Sequence, residues 1–246
     1  MNLILRLRRA NRNLSKRNKL VLFSIVLFLI CLCLFFILHE RAVSDQFKAT
    51  NDDWSLIGRG ISVRDHTIGD VDAPIQIIVY ADFECKYCAK LFNVDIPKLQ
   101  TEFGDQVVFA YRHFPLPIYP GSQREAEASE CVYGQGDNAS FWKFAKSMFA
   151  LPTTVKRSDD GVLTGIAVSS GVTAQAFDLC MKEGKGKERV AEDKVEGSIA
   201  GMSTTPSLLL KSKHRAFIIR GAYYSQMYTG VKYLLETNRQ IENRKH

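Results

Sequence analysis

The sequence has six cysteines in 246 residues and little else that could hold a metal. Beside Cys85-Lys86-Tyr87-Cys88 there is no second Cys-x-x-Cys, and there is no His-x-x-x-His pair. A structural zinc needs four ligands at spacings of that kind, so no metal is expected at the pair. No methionine or histidine cluster surrounds it, which weighs against copper handling. Internal repeats and low-complexity segments are absent, which excludes solenoid arrays.

Acidic residues are missing from residues 1–19, which carry Arg6, Arg8, Arg9, Arg12, Lys16, Arg17 and Lys19. Those seven account for the net charge of +7, and residues 20–246 hold 26 basic and 26 acidic side chains. The body is formally neutral, so overall basicity gives no argument for nucleic-acid binding.

Charge of either sign is missing from Leu20 to Leu38. As a helix this run would span about 28 Å, close to the thickness of a bilayer core. It is longer than a usual signal-peptide core, and no clear small-x-small cleavage site follows it. The expectation is an uncleaved single-pass anchor, with a cleaved signal peptide as the alternative. The basic segment 1–19 then stays in the cytoplasm and residues 39–246 lie outside. Ile30 precedes Cys31 and Leu32 precedes Cys33, where a lipoprotein would want a small residue. Those two cysteines are read as lipid-facing or packing residues.

What is present is organised around Asp82-Phe83-Glu84-Cys85-Lys86-Tyr87-Cys88-Ala89. An apolar run at 75–81 reads as a strand buried on both faces. A helical run at 89–103 follows, which Pro97 should kink or split. Cys85 then sits at a helix start, where the dipole favours its thiolate. Cys88 is one turn on, within reach of a reversible disulfide. Lys86 adds a positive charge nearby, while Asp82 and Glu84 oppose it.

Residues 39–59 read as a stalk, and 61–63 as a short first strand. Gln106–Phe114 is a strand parallel to 75–81, because a helix lies between them. From 121 to 201 the apolar spacing turns helical, with Phe141, Phe144, Ala145, Met148 and Phe149 on one face. Asp159 and Thr173 can cap helices there. Cys131 and Cys180 fall on apolar faces of this stretch. They are either two buried free thiols or a structural disulfide. His113 and His66 read as structural histidines. Strand signals return at 206–210 and 215–220, before a last helix at 225–241.

This order resembles the DsbA-like branch of the thioredoxin superfamily. The likeness rests on DFECKYCAK, on YRHFPL at 111–116, on Glu130-Cys131 and Phe141-Trp142, and on Thr205-Pro206 before a late strand. It covers about residues 60–240. It implies an α/β thioredoxin fold: a central mixed sheet flanked by helices, here formed by 60–120 and 202–246. An all-helical insertion at 121–201 interrupts it, and the anchor helix precedes it.

The resemblance also implies a function. Cys85 and Cys88 would be the redox-active pair, with Pro206 in cis against them. The backbone of Thr205 would offer strand-like hydrogen bonds to an extended substrate. Lys86, Tyr87 and Glu84 would tune the thiol. No cofactor is needed. The implied activity is a thiol:disulfide oxidoreductase that introduces disulfides into reduced, unfolded exported proteins. It would be anchored in the bacterial inner membrane, face the periplasm, and be reoxidised by a membrane partner of the DsbB or VKOR type. Lys86-Tyr87 differs from the proline or histidine common in strong oxidants, so a disulfide isomerase or reductase stays open. An isomerase would want self-association through the stalk. A thioredoxin-fold chaperone or copper-handling protein is the non-enzymatic alternative.

Overall fold

A computed structural model describes residues 16–48, 58–152, 154–221 and 223–244. The chain divides into two units, Met1–Ala49 and Thr50–His246.

Among the described residues the first unit forms the helix Lys16–Lys48 (α1). The charge-free run lies wholly inside it. Every described large apolar side chain from Leu20 to Leu38 is exposed. The helix continues to Lys48, into the stretch read as a stalk, and residues 49–57 lie outside the described set. Described side chains are continuous only over 23–38. Among the described residues no helix is long and apolar enough to cross a membrane.

The second unit is built on a five-stranded sheet: β1 (His66–Ile68), β2 (Ile75–Ala81), β3 (Val107–His113), β4 (Ser207–Lys211) and β5 (Ala216–Arg220). The spatial order is β1-β3-β2-β4-β5. β2 and β3 are parallel, and the other pairings are antiparallel. β2 is central, and Ile75, Ile77, Ile78, Val79 and Tyr80 have no exposed surface. Each such aliphatic side chain contributes roughly 1.5–3 kcal/mol by leaving water. That explains the near-continuous apolar run.

The first strand is not at 61–63 but at His66–Ile68. Ser62 and Asp65 close a turn instead. Asp65 N–H donates to the Ser62 carbonyl at 3.0 Å, and Ser62 N–H donates to Asp65 Oδ2 at 2.8 Å. Both backbone groups are committed locally and cannot join a ladder.

Asp65 also anchors this segment to the sheet. The fully buried Arg112 of β3 donates to Asp65 Oδ1 from Nε at 2.9 Å. Its Nη2 donates to the Gly60 carbonyl, and its Nη1 to Tyr80 Oη. A charge inside an apolar strand is tolerated because every donor finds an acceptor.

After the cysteines the chain forms α2 (Lys86–Lys90), a wider π turn at Leu91–Asp95, and α3 (Ile96–Phe103). Pro97 sits in the first turn of α3, where its missing N–H costs least. The split therefore falls just before the proline.

Between β3 and β4 lie α4 (Ser122–Gln135), α5 (Asn138–Ala150), α6 (Asp160–Ser169), α7 (Ala174–Glu183) and α8 (Lys187–Ile199). Asp137, Asp159 and Thr173 cap α5, α6 and α7 through their side chains. The buried face of α5 packs on the start of the cysteine helix: Phe149 lies 5.1 Å from Phe83 and 5.2 Å from Phe92, ring to ring. α8 crosses β2 closely. A side chain at Gly197 would meet the Tyr80 and Phe114 rings at 2.8–2.9 Å. The chain's last described helix is α9 (Tyr224–Asn243).

Candidate active site

β2 delivers the chain to the cysteines through one tight turn. Asp82 Oδ1 accepts from Glu84 N–H at 2.8 Å, and the Asp82 carbonyl accepts from Cys85 N–H at 3.2 Å. Cys85 is then the N-cap residue of α2, with extended backbone, and its carbonyl accepts from Ala89 N–H. Cys85 is 2% exposed and Cys88 is fully buried. The two are unbonded thiols. Tyr87, between them, is 58% exposed, and Lys86 is exposed with its Nζ 5.1 Å from the Tyr87 ring centre.

The second wall comes from the other end of the chain. Tyr80 is opposite Ser207 in the antiparallel β2–β4 pair. The exit of β2 therefore lies beside the entry of β4, and Thr205-Pro206 is brought against the cysteines. The Thr205-Pro206 bond is cis. Cys85 Sγ lies 3.4 Å from the Thr205 carbonyl oxygen.

The two thiols are driven apart in acidity. A hydrogen bond from the Cys88 thiol lowers Cys85 to about 6. Burial opposes this, while Thr205 and the backbone N–H groups of Cys88 and Tyr87 support it. Lys86 and Glu84 are not among the largest influences. Burial pushes Cys88 well above its ordinary value, and the neighbouring Cys85 adds to this. One sulfur is suited to be a thiolate and the other a thiol.

Glu84 does a different job. Its Oε1 accepts from Gly121 N–H at 2.7 Å, at the start of α4. Asp82 Oδ2 accepts from Leu116 N–H and from the Ser122 hydroxyl, both at 2.8 Å. The helical stretch is thus tied directly to the active-site turn. Arg157 adds a third tie, donating to the Phe83 carbonyl at 2.8 Å.

Two buried carboxyls lie at this turn: Asp82, which sequence reasoning reads only as a charge opposing the Cys85 thiolate, and Glu125, which it does not single out. Burial raises Asp82 to about 6, against three hydrogen bonds that favour its anion. Burial, with Glu84 alongside, raises Glu125 to about 8. An acid directly following a fully apolar strand was the available signal for Asp82. Glu125 looked like an ordinary residue of an amphipathic helix.

Cys131 and Cys180 are bonded, with S–S 1.98 Å, joining α4 to α7. The preceding residue, Glu130, faces the other way. Its Oε1 lies 2.6 Å from His66 Nε2 and 2.7 Å from His113 Nε2. Burial would raise Glu130, but hydrogen bonds from His113 and His66 outweigh it and hold the carboxyl well below its usual range. The ligand-type atoms of these three residues lie within 4.8 Å of one another. Both Nε2 atoms are engaged by Glu130 Oε1, the Nδ1 atoms of His66 and His113 have no hydrogen-bond partner, and Phe141 stacks on the His66 ring at 3.6 Å. His66 and His113 thus fasten the sheet to the helices.

Comparison with known proteins agrees with this geometry. Residues 62–227 match the family model described as Thioredoxin. Oxidised BdbD from Bacillus subtilis superposes with a TM-score of 0.64 at 23% identity, covering 76% of this chain and all of that one. Chlamydia trachomatis DsbA superposes with a TM-score of 0.62 at 18% identity, covering 72% and 94%. Among curated sequences, the Na(+)/H(+) antiporter NhaA 1 of Mycobacterium sp. (strain KMS) is 31% identical over 153 residues. The NhaA antiporter of Herminiimonas arsenicoxydans is 30% identical over 167 residues. The aligned segment spans about a quarter of those antiporters, 24% and 25% of their length. With a strand, a Cys-x-x-Cys helix start and a cis-proline wall in place, and with two thirds of its length matched by that family model, the chain belongs to the thioredoxin family.

Proposed function

We propose that this chain is a membrane-anchored, extracytoplasmic oxidase that introduces disulfides into exported proteins. The observation that carries the exchange chemistry is geometric: Cys85 opens α2 with its Sγ 3.4 Å from the Thr205 carbonyl oxygen, one turn before the fully buried Cys88 thiol. A thiolate stabilised at Cys85 stabilises the reduced pair, and a pair whose reduced form is stable gives up its disulfide readily. Cys85 at about 6 is mostly thiolate at neutral pH.

In the reaction, a substrate thiolate attacks Sγ of Cys85 in the oxidised pair. The Cys85–Cys88 bond breaks, a substrate–Cys85 mixed disulfide forms, and Cys88 leaves with the electron pair and takes up a proton. A second substrate thiolate then attacks the substrate sulfur of the mixed disulfide. The substrate leaves oxidised by two electrons, and Cys85 leaves as thiolate. Cys88 has no exposed surface, whereas Cys85 keeps 2% of its own and lies against the Thr205 carbonyl.

Anchoring is supported by the charge-free run 20–38 inside one helix and by the basic residues before it. An outward location suits a chain that carries a Cys131–Cys180 bond. A membrane redox partner of the DsbB or VKOR type would restore the disulfide, and reduced unfolded chains would be the substrates.

The reduction potential of Cys85–Cys88 tests the direction. A value near ~−120 mV fits an oxidase, and one near ~−270 mV turns the reading to a reductase or isomerase. Oxidative refolding of a reduced protein with Cys85→Ser tests the chemistry; retained activity would sink it.

A further inference from the structure

The fold buries a second polar group that the exchange chemistry does not use. It lies where β1, β3 and α4 meet. His66 of β1 and His113 of β3 have no exposed side-chain surface, and Glu130 of α4 keeps 8% of its own. One atom joins all three: Glu130 Oε1 is 2.6 Å from His66 Nε2 and 2.7 Å from His113 Nε2. These are hydrogen-bond lengths, whereas a zinc ion held by the same atoms would keep them about 3.3 Å apart.

Two contacts on one carboxylate oxygen fix the protons. Burial would raise Glu130, but the hydrogen bonds from His113 and His66 keep it ionised. An ionised carboxylate only accepts, so both Nε2 atoms carry hydrogen. The two Nδ1 atoms are buried and have no hydrogen-bond partner. A ring with hydrogen at Nε2 alone is neutral. A second proton, at Nδ1, would bury both a charge and a donor with no acceptor, which is costly.

The surroundings of His66 act in the same sense. The Phe141 ring stacks on it at 3.6 Å, and the Tyr133 ring meets it at 4.5 Å. On the β3 side, Tyr111 stands edge-on to His113 at 5.0 Å. From α8, Asp193 Oδ2 accepts the His113 backbone N–H at 3.0 Å, and Arg189 Nε lies 3.0 Å from Asp193 Oδ1. Arg189 also reaches Asp65, just ahead of β1, at 3.3 Å. Asp65 is shared with Arg112 and Arg59. Burial lowers His66 below its ordinary 6.5; Glu130 opposes this, while His113 and Arg189 add to it.

We propose that His66, Glu130 and His113 form an acid-sensitive latch between the sheet and α4, released when His66 takes a proton from solvent at Nδ1. The ring accepts that proton more readily in water than inside the fold. Acid therefore favours the chain in which α4 has parted from the sheet. The stabilisation is whole above about pH 6.5 and is lost as pH falls below it. The latch stands close behind the cysteine turn. His113 is opposite Ala81 in the β2–β3 pair, and its ring is 6.3 Å from that of Phe83. Release thus loosens the packing behind Phe83.

Urea unfolding of the full 246-residue chain in detergent, compared at pH 7.5, 6.5 and 5.5, tests the latch. His66→Gln keeps a donor in place of Nε2 but cannot titrate. For each pH unit below 6.5, the wild-type folding constant should fall about tenfold more than that of His66→Gln, the effect of one proton. His113→Gln should keep the wild-type fall. Backbone hydrogen exchange, corrected for its own pH dependence, should show β1 and α4 losing protection over this range in the wild type and not in His66→Gln. Parallel falls in wild type and His66→Gln overturn the latch. So does a fall that His113→Gln abolishes and His66→Gln retains. Should His66→Gln fail to fold, ring-nitrogen chemical shifts of the wild type decide. A folded chain whose His66 Nδ1 stays bare down to about pH 6 supports the latch, and one whose His66 is protonated at both nitrogens above that pH overturns it.

Discussion

Cys85 Sγ and the carbonyl oxygen of Thr205 lie 3.4 Å apart, although the residues are 120 positions apart in the chain. The antiparallel register of β2 and β4, with Tyr80 opposite Ser207, brings them together. Sheet pairing therefore builds the candidate active site, and the helices of residues 122–199 are hung from it by Asp82, Glu84 and Arg157.

The acidity of Cys85 should depend on Cys88 more than on Lys86. Cys88→Ala removes the hydrogen bond that lowers Cys85 most, so its titration midpoint should rise from about 6. Lys86→Gln should barely move it, because an exposed ammonium is screened by water and salt. Absorbance of the thiolate against pH measures both.

The same shift sets a pH dependence for the reduced protein. The folded value lies below the ordinary 9.0, so the folded state releases its proton first. The stabilisation is complete above about pH 9 and is lost as pH falls through about 6. Denaturant midpoints of the reduced chain across that window should rise with pH more steeply than those of Cys85→Ser.

Removing the Cys131–Cys180 bond should lower stability without touching the redox pair. The bond closes a separation of 49 residues. Chain entropy alone then gives on the order of 4 kcal/mol. The double variant Cys131→Ala, Cys180→Ala should unfold at lower urea, with Cys85 still titrating as before.

Arg112→Met should cost about 3 kcal/mol, because it strips the fully buried Asp65 of its main partner. Arg59 and Arg189 still reach Asp65, at 2.9 and 3.3 Å, which keeps the loss at the low end. Burial would raise Asp65, but the Arg112 hydrogen bond and charge outweigh it and hold the carboxyl far below its ordinary value. Its contribution is present above about pH 4 and lost as pH falls further. Urea melts between pH 2 and 5 should show this acid limb weakened in the variant.

Gly197→Ala should destabilise, although alanine is the better helix former. The added methyl would meet the rings of Tyr80 and Phe114 at 2.8–2.9 Å. Overpacking of about 1–3 kcal/mol exceeds or matches the roughly 1 kcal/mol gained in helix propensity. A thermal melt should move down.

Much of the framework was legible before any coordinates. Helices with caps at Asp159 and Thr173, and strands with apolar runs, follow from periodicity and local hydrogen bonding. The strand placed at 61–63 failed because the Ser62–Asp65 turn competes for the same backbone groups. Arg112 within an apolar strand and Asp82 at the end of another were visible anomalies. Their partners were not visible, since Asp65 and Ser122 lie 47 and 40 positions away.

The amino-acid sequence by itself determined the chemistry available: two thiols one helical turn apart, a proline before a late strand, and a charge-free run after a basic start. The tertiary structure decided which groups act on those thiols. Thr205 reaches Cys85 from the approach to β4, while Asp82 after β2 and Tyr111 on β3 lie by Cys88, and only sheet register brings these positions together. Acidity depends on burial and on contacts of a few ångströms. Such contacts are fixed by the fold and not by distance along the chain. For that reason Lys86, adjacent in sequence, matters less to Cys85 than the buried Cys88 thiol against it.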